Sequence, residues 1–330
     1  MITVVIPTVG RPSLSATLAA LGLSSDRPGG GSPPGGRVAE VIVVDDRRGP
    51  AEPLDLPDGV RVLRSGGRGP AAARNVGWRA AGTPWVAFLD DDVVPEPGWT
   101  GALAADLAGL PPDVAGSQGR VEVPLPQRER LTDAERATAG LADAAWITAD
   151  MAYRRSVLDR AGGFDERFPR AYREDADLAL RVLGRGHRLV KGRRVVRHPV
   201  RDDGFWASVR RQRGNEDDAL MRRVHGPGWR AAIGASGRLR GHAATTLAAV
   251  AALALSPALV AGRGPAGRML GAGAVLAGGL WAGATAGFAW RRIAPGPRTG
   301  GEIGRMAVTS VFIPPLACAW RLRGEIRSRA

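Results

Sequence analysis

Two residue types are nearly missing from this chain of 330 residues, which has one cysteine, Cys318, and one lysine, Lys191. A single cysteine can neither close an intramolecular disulfide nor build a cysteine-based metal site. With lysine almost absent, arginine carries the positive charge, a preference that base-composition bias explains. Zinc-finger spacing and RNA-binding signatures are also absent, so the net charge of +14 is read without a nucleic-acid partner. The opening MITVVIPTVGRP lacks a charged n-region and a long apolar h-region. The expectation is that it is not a signal peptide, with chemistry in the cytoplasm.

The charge that is present is unevenly placed. Residues 1–200 carry 27 Lys and Arg against 25 Asp and Glu, whereas residues 201–330 carry 19 against 7. The basic part is also the most apolar, which points to an anionic lipid surface. Residues 243–261 and 269–290 contain no charge and approach the roughly 20 residues needed to cross a bilayer. Their Ala and Gly content leaves buried helices of a soluble bundle as the alternative. Residues 306–320 are shorter and carry Pro314-Pro315, so a re-entrant or interfacial segment is expected there.

Arginines flank these segments: Arg238 and Arg240 before the first, Arg291, Arg292, Arg298 and Arg305 after the second, and Arg321, Arg323, Arg327 and Arg329 in the tail. The positive-inside rule puts these flanks on the cytoplasmic face and favours a two-span hairpin, against which Arg263 and Arg268 in the intervening loop stand. Upstream, FWASVRRQRGNEDDALMRRVHG (205–226) alternates Phe205, Trp206, Val209, Leu220, Met221 and Val224 with arginines, as an interfacial amphipathic helix does. The expected division is one domain over 1–204, a basic interface region over 205–240 and membrane segments over 241–330.

The first 200 residues read differently. ITVVIP (2–7) and EVIVVDD (40–46) are short apolar runs rich in β-branched residues, as buried parallel strands are, and GVRVLRS (59–65) is a third short strand. SLSATLAALGL has helical spacing with Ser13 as a plausible N-cap, and SSDRPGGGSPPGG (24–36) reads as a low-complexity mobile loop. PAAARNVGWRAAG (70–82) is a helix with Pro70 in its first turn and Gly82 near its end, leading into the strand WVAFLD. This alternation indicates an α/β fold with a mostly parallel central sheet and ligands at the strands' carboxyl ends.

Two such ends are acidic: Asp45-Asp46 and Asp90-Asp91-Asp92. Three adjacent like charges call for compensation. Strand alternation sends Asp90 and Asp92 to one side and Asp91 to the other, where it is expected to tolerate substitution best. Two carboxylates on one side make a hard-oxygen site suited to Mg²⁺ or Mn²⁺; an acidic turn with no ligand is the alternative.

The ordered motifs VVIPTVGRP, EVIVVDD, GRGPAAARNVGWRAA and WVAFLDDD resemble the family 2 glycosyltransferases, whose nucleotide-sugar-binding fold is called GT-A, over roughly residues 1–200. The resemblance implies an inverting enzyme, and the C-terminal apolar segments add the expectation of membrane association. Pro7, Thr8 and Arg11 would border the nucleotide, and Asp45 would accept a hydrogen bond from the base. Arg68 and the stretch Ala73-Arg74-Asn75 would lie near the nucleotide and diphosphate, and Asp90-x-Asp92 would be the DxD motif, Asp92 on the metal and Asp90 closer to the ribose. An acceptor-only carboxylate suits the N–H of uracil or thymine, although Asp45 or Asp46 also suits a turn cap, and Arg74 a solvated helix charge.

On the acceptor side, ITADMAYRRSVLDRAGGFDERFPRAYREDADLALRVLGRGHRL resembles the family's second block, with Glu174 and Asp175 at the place of its ED motif. In that motif a carboxylate is the general base; Asp175 is the first choice and Glu174 the close alternative. Acids are also favoured in a helix's first turn by the macrodipole. His198 stands where some related transferases have a third metal ligand, and imidazole suits Mn²⁺ better than Mg²⁺. The Q-x-x-R-W motif of processive synthases is absent, since Arg213-Gly214-Asn215-Glu216 follow Gln212.

The reading is metal-dependent transfer from a nucleoside-diphosphate sugar to a glycan, lipid or lipid-linked acceptor at the cytoplasmic face of the cell membrane, in contact with membrane lipids. A sugar nucleotidyltransferase and a non-catalytic GT-A-like membrane protein are the alternatives.

Overall fold

The computed structural model describes residues 1–23, 38–201 and 203–328. The low-complexity stretch 24–36 and the tail's Arg329 lie outside the described residues. The chain divides into two units, Met1–Leu125 with Thr138–Val200, and Pro126–Ala137 with Arg201–Ala330. The excursion over 126–137 leaves no mark in composition or periodicity.

In the first unit, strands β1 (Ile2–Thr8), β2 (Val38–Asp45), β3 (Val60–Arg64), β4 (Trp85–Leu89), β5 (Val94–Pro95), β6 (Val114–Glu122), β7 (Asp150–Arg154) and β8 (Arg188–Arg197) form one sheet of order β3-β2-β1-β4-β7-β6-β8-β5. The strands β3, β2, β1 and β4 are parallel. β7 runs antiparallel to β4 and β6, while β8 is parallel to β6 and antiparallel to β5. The half that reads in the sequence as continuous apolar runs is thus the parallel half, and the other half makes the sheet mixed.

Alternation along the strands divides the core. Val4, Ile6, Val41 and Val43 face a layer holding Leu14 and Leu18 of α1 (Ser13–Ala20) and Leu103 of the helix Trp99–Leu107 that follows β5. Val5, Ile42, Val44 and Phe88 face the other layer, where α2 (Pro70–Ala80) contributes Trp78. The remaining helices of the first 200 residues are α3 (Trp99–Leu107), α4 (Asp133–Ala139), α5 (Arg155–Ala161) and α6 (Glu174–Leu183). Each fully buried aliphatic side chain contributes on the order of 1.5–3 kcal/mol. Helix α2 lies close on the sheet because Gly77 has no side chain: a Cβ there would sit 2.3 Å from Val5 Cγ1. At α1, Ser13 is the first helical residue rather than the cap; Pro12 holds the N-cap position with no side-chain bond.

A buried cation ties the mixed half together. Arg194 of β8 donates from Nε to Asp150 at 2.7 Å, from Nη1 to Asp106 at 3.1 Å and Ser117 Oγ at 3.0 Å, and from Nη2 to Ser117 O at 2.6 Å. Trp99 Nε1 donates to the second Asp150 oxygen at 2.7 Å.

The second unit is helical: α7 (Ala207–Arg210), a 3₁₀ turn (Arg211–Arg213), α8 (Gly214–His225), α9 (Trp229–Ala232), α10 (Leu239–Leu255), α11 (Pro257–Ala261), α12 (Gly264–Ile293) and α13 (Gly300–Arg327). Leu239–Ala261, Gly264–Ile293 and Gly300–Arg327 are each long and apolar enough to cross a membrane. The expected short segment at 306–320 is therefore a longer helix, continuous through Pro314-Pro315. Ile313, Pro314 and Ala317 are buried, and their packing offsets the backbone bond lost at Pro314.

Polar groups accompany α13 along its length. Arg292 donates to Thr309 Oγ1 at 2.8 Å, Ser310 Oγ at 3.0 Å and Ser208 Oγ at 2.9 Å. The Trp206 and Phe312 rings meet edge to face at 5.5 Å. Arg323 and Arg327 lie 3.5 and 3.3 Å from Glu216.

Candidate active site

The parallel register places Thr8 beside Asp45 and Val5 beside Phe88, so the carboxyl ends of β2, β1 and β4 lie side by side. Antiparallel β7 enters with Asp150 opposite Leu89. This brings Asp45-Asp46, the residues Pro7 to Arg11 and Asp90-Asp91-Asp92 to one edge of the sheet, where ligands of α/β sheets bind. Pro7 itself is buried within β1.

The three adjacent aspartates have three different surroundings. Asp90, with 28% of its side chain exposed, accepts from Arg74 Nη2 at 2.7 Å. Asp91 is buried and accepts from Thr8 Oγ1 and Arg11 Nη1, both at 2.6 Å. Asp92 is buried with Oδ2 3.6 Å from Arg11 and Oδ1 3.7 Å from His198 Nε2. The expectation that Asp91 tolerates substitution best is corrected: Asp91 clips the loop after β1 to the loop after β4. Strand alternation fails there because β4 stops at Leu89 and the next residues turn, with Val93 N donating to Asp90 O at 3.5 Å. Much of the compensating positive charge is arginine.

Arg74, buried on α2, joins the donor side to the acceptor side. Its Nη1 donates to Glu174 Oε1 at 2.7 Å while Nη2 holds Asp90. Glu174 is buried and Asp175 half-buried, at the start of α6. Arg173 before them takes a left-handed φ of 77°, a conformation costing about 1–3 kcal/mol in a residue other than glycine. Asp175 Oδ1 accepts from Ala176 N at 2.7 Å. Burial raises the pKa of both carboxyls, and the Asp175 charge raises that of Glu174 further, against the pull of Arg74. Of the two, Asp175 is the accessible carboxylate and Glu174 is spent on Arg74.

Arg68 and Asn75 meet at Glu166 in GGFDERF. Arg68 Nη1 donates to Glu166 at 2.6 Å and Nε to Ser65 O at 2.9 Å. Asn75 Nδ2 donates to Glu166 at 2.9 Å and Phe164 O at 2.8 Å, and Asn75 Oδ1 accepts from Trp78 Nε1 and Phe164 N. Gly163, at φ +72°, permits this approach, since a Cβ there would lie 2.4 Å from Asn75 Oδ1. Asn75 therefore clamps α2 to the turn before α6. Asp46 accepts from Ser65 Oγ at 2.6 Å and Gly69 N at 2.9 Å, fixing the entry to α2. Asp45 is engaged by Arg47, whose hydrogen bonds hold its carboxyl below the ordinary range.

His198 and Asp92 show what the edge can hold. His198 Nδ1 lies 3.2 Å from Pro199 O and Nε2 lies 3.7 Å from Asp92 Oδ1. A hard carboxylate oxygen with an imidazole nitrogen fits a divalent ion completed by substrate oxygens. Among the described residues no group of three or more His, Cys, Asp or Glu side chains gathers as a ready metal cluster, so Asp90, held by Arg74, does not complete one with them.

Sequence reasoning gave no role to Glu166, Arg47 or Tyr153. The Tyr153 hydroxyl is buried with no hydrogen-bond partner, and burial followed by the charge of Asp175 raises its pKa. All three owe their place to tertiary contacts; only GGFDERF, as a motif, could have drawn attention to Glu166.

The sequence profile described as Glycosyl transferase family 2 matches residues 3–170, just over half of the chain. Pre-mycofactocin glycosyltransferases from two strains of Mycobacterium tuberculosis are 35% identical over 173 residues, covering 46% of this chain and 36% of theirs. The match thus spans about a third of those relatives' length. A mannosyltransferase from Pyrobaculum calidifontis, solved in complex with GDP-Man and Mn²⁺, superposes with a TM-score of 0.51 at 20% identity, covering 97% of this chain and 86% of that one. At that identity the likeness establishes the GT-A fold.

Proposed function

The chain belongs to glycosyl transferase family 2, and we propose that it moves a sugar from a nucleoside-diphosphate donor to an acceptor hydroxyl with inversion, Asp175 acting as the base. The observation that carries this reading is the Arg74 bridge. One buried guanidinium holds Asp90, at the donor edge, and Glu174, beside the candidate base, each at 2.7 Å.

In the reaction, an acceptor hydroxyl gives its proton to a free oxygen of Asp175 as its oxygen attacks the anomeric carbon. The new C–O bond forms opposite the breaking bond to the diphosphate, which leaves with that electron pair. A carboxylate with a raised pKa is a stronger base than an ordinary one. Arg74 keeps Glu174 from that task and fixes the start of α6. Asp92 and His198 would hold a divalent cation, Mn²⁺ or Mg²⁺, which when bound neutralises the charge on the diphosphate. Arg11 and Arg68 carry exposed guanidinium groups at the same edge and supply further positive charge for the phosphates.

The acceptor is a lipid, a lipid-linked glycan or a cell-wall precursor at the cytoplasmic face. The support is the apolar pair Leu239–Ala261 and Gly264–Ile293 with its basic flanks. For α13 the polar helix α8 alongside it favours an interfacial position over a crossing, since Glu216 and its arginines would be costly in hydrocarbon. Screening UDP-, GDP- and dTDP-sugars with Mn²⁺ and Mg²⁺ for slow release of nucleoside diphosphate tests the reading. Metal-dependent release from one donor is expected; silence with every donor, together with no thermal stabilisation by any of them, contradicts it.

A further inference from the structure

We propose that Arg47 is a built-in competitor for the base of the donor, its guanidinium filling the acceptor oxygens of Asp45 that a base must reach. The proposal rests on the donor-site reading above. Asp45 is 3% exposed and opens to the edge of the sheet at the end of β2. Arg47 Nε donates to Oδ1 at 2.9 Å and Nη2 to Oδ2 at 2.8 Å, and the Arg47 backbone N–H adds a third bond to Oδ1 at 3.0 Å. This two-pronged grip is the strong form of an arginine–carboxylate pair.

The stem of Arg47 lies across the neighbouring loop. A Cβ on Gly10 would meet Arg47 Cδ at 3.0 Å, so the side chain covers the loop after β1 as well as the carboxylate after β2. Nη2 is also anchored on Glu52 O at 2.7 Å. A base N–H directed at Asp45 therefore meets a carboxylate already engaged on both oxygens, and a nucleotide seats when Arg47 swings out. Arg64 Nε, 3.6 Å from Asp45 Oδ2, stays behind as a second cation, so the carboxylate is not left without a partner.

A slot kept shut nine-tenths of the time weakens apparent affinity about tenfold relative to the open slot. The test is calorimetric titration of UDP, GDP and dTDP with Mn²⁺ into the full chain in detergent, for wild type, Arg47→Ala, Arg47→Lys and Arg48→Ala. Arg48 is a charge-matched control whose Nε donates to Gly67 O at 3.3 Å. Expected is binding of one nucleotide about tenfold tighter in Arg47→Ala and tighter also in Arg47→Lys, which keeps the charge and loses the fork, with Arg48→Ala within about twofold of wild type. Binding to wild type that weakens or stays unchanged in both Arg47 variants overturns the competitor while the donor site stands. Absence of binding in every protein overturns both.

Discussion

Two buried arginines of the first unit invite comparison. Arg194 and Arg74 each bridge two carboxylates, yet the first is satisfied on every nitrogen and the second is not. Arg194 makes four hydrogen bonds to Asp150, Asp106 and Ser117, and Trp99 meets the remaining Asp150 oxygen. Arg74 leaves Nε without a partner, as Glu174 does Oε2, and its other carboxylate, Asp90, is 28% exposed. The closed network holds strands together, whereas the open one leaves two buried polar atoms unmatched. Buried polar groups left unmade cost free energy, and Arg74 Nε and Glu174 Oε2 are two such groups on the two partners of one ion pair.

Breaking each bridge sharpens the contrast. Arg194→Met leaves Asp106 and Asp150 buried and uncompensated; thermal unfolding should show a loss of about 3–5 kcal/mol. Arg74→Met should cost less, about 1–3 kcal/mol, because Asp90 reaches water and Glu174 can take up a proton. Transfer should nevertheless fall by roughly 10²-fold through misplacement of the base, with the folded circular dichroism signal retained. Equal stability losses in the two variants would erase the distinction. Asp91→Asn should destabilise by about 1–3 kcal/mol by weakening the Thr8 and Arg11 clip, a larger melting shift than Asp92→Asn.

The smallest effect is on pH. Burial raises the carboxyls of Glu174 and Asp175, so the folded state binds more protons than the unfolded chain between the ordinary carboxylate range and the raised values. Stability from this pair is greatest below the ordinary range and declines as pH rises through that window. Activity runs the opposite way, because the base must be ionised. The acid limb of kcat/KM should sit above the ordinary carboxylate pKa of about 4, and a limb at or below that value would show Asp175 unshifted.

The parallel half of the sheet was legible because β1, most of β2 and β4 are buried and read as apolar runs, two of which lead into acids. The mixed half was not, since its strands, such as β8 with RLVKGRRVVR, interleave arginines whose burial depends on partners far along the chain. The family resemblance put forward Asp90, Asp92, Glu174, Asp175 and His198 as site residues. It could not show that Arg74 turns inward between two of them, that Asn75 binds a turn 89 residues away, or that Asp91 is clipped rather than idle. Those are outcomes of tertiary pairing, and alternation gives no guidance once the strand has ended at Leu89.

The most direct test of the account measures nucleoside diphosphate release from the active donor by wild type and Asp175→Asn, with donor binding followed in parallel. The account predicts unchanged donor affinity and release reduced by roughly 10²–10⁴-fold. Release by Asp175→Asn at the wild-type rate would contradict it.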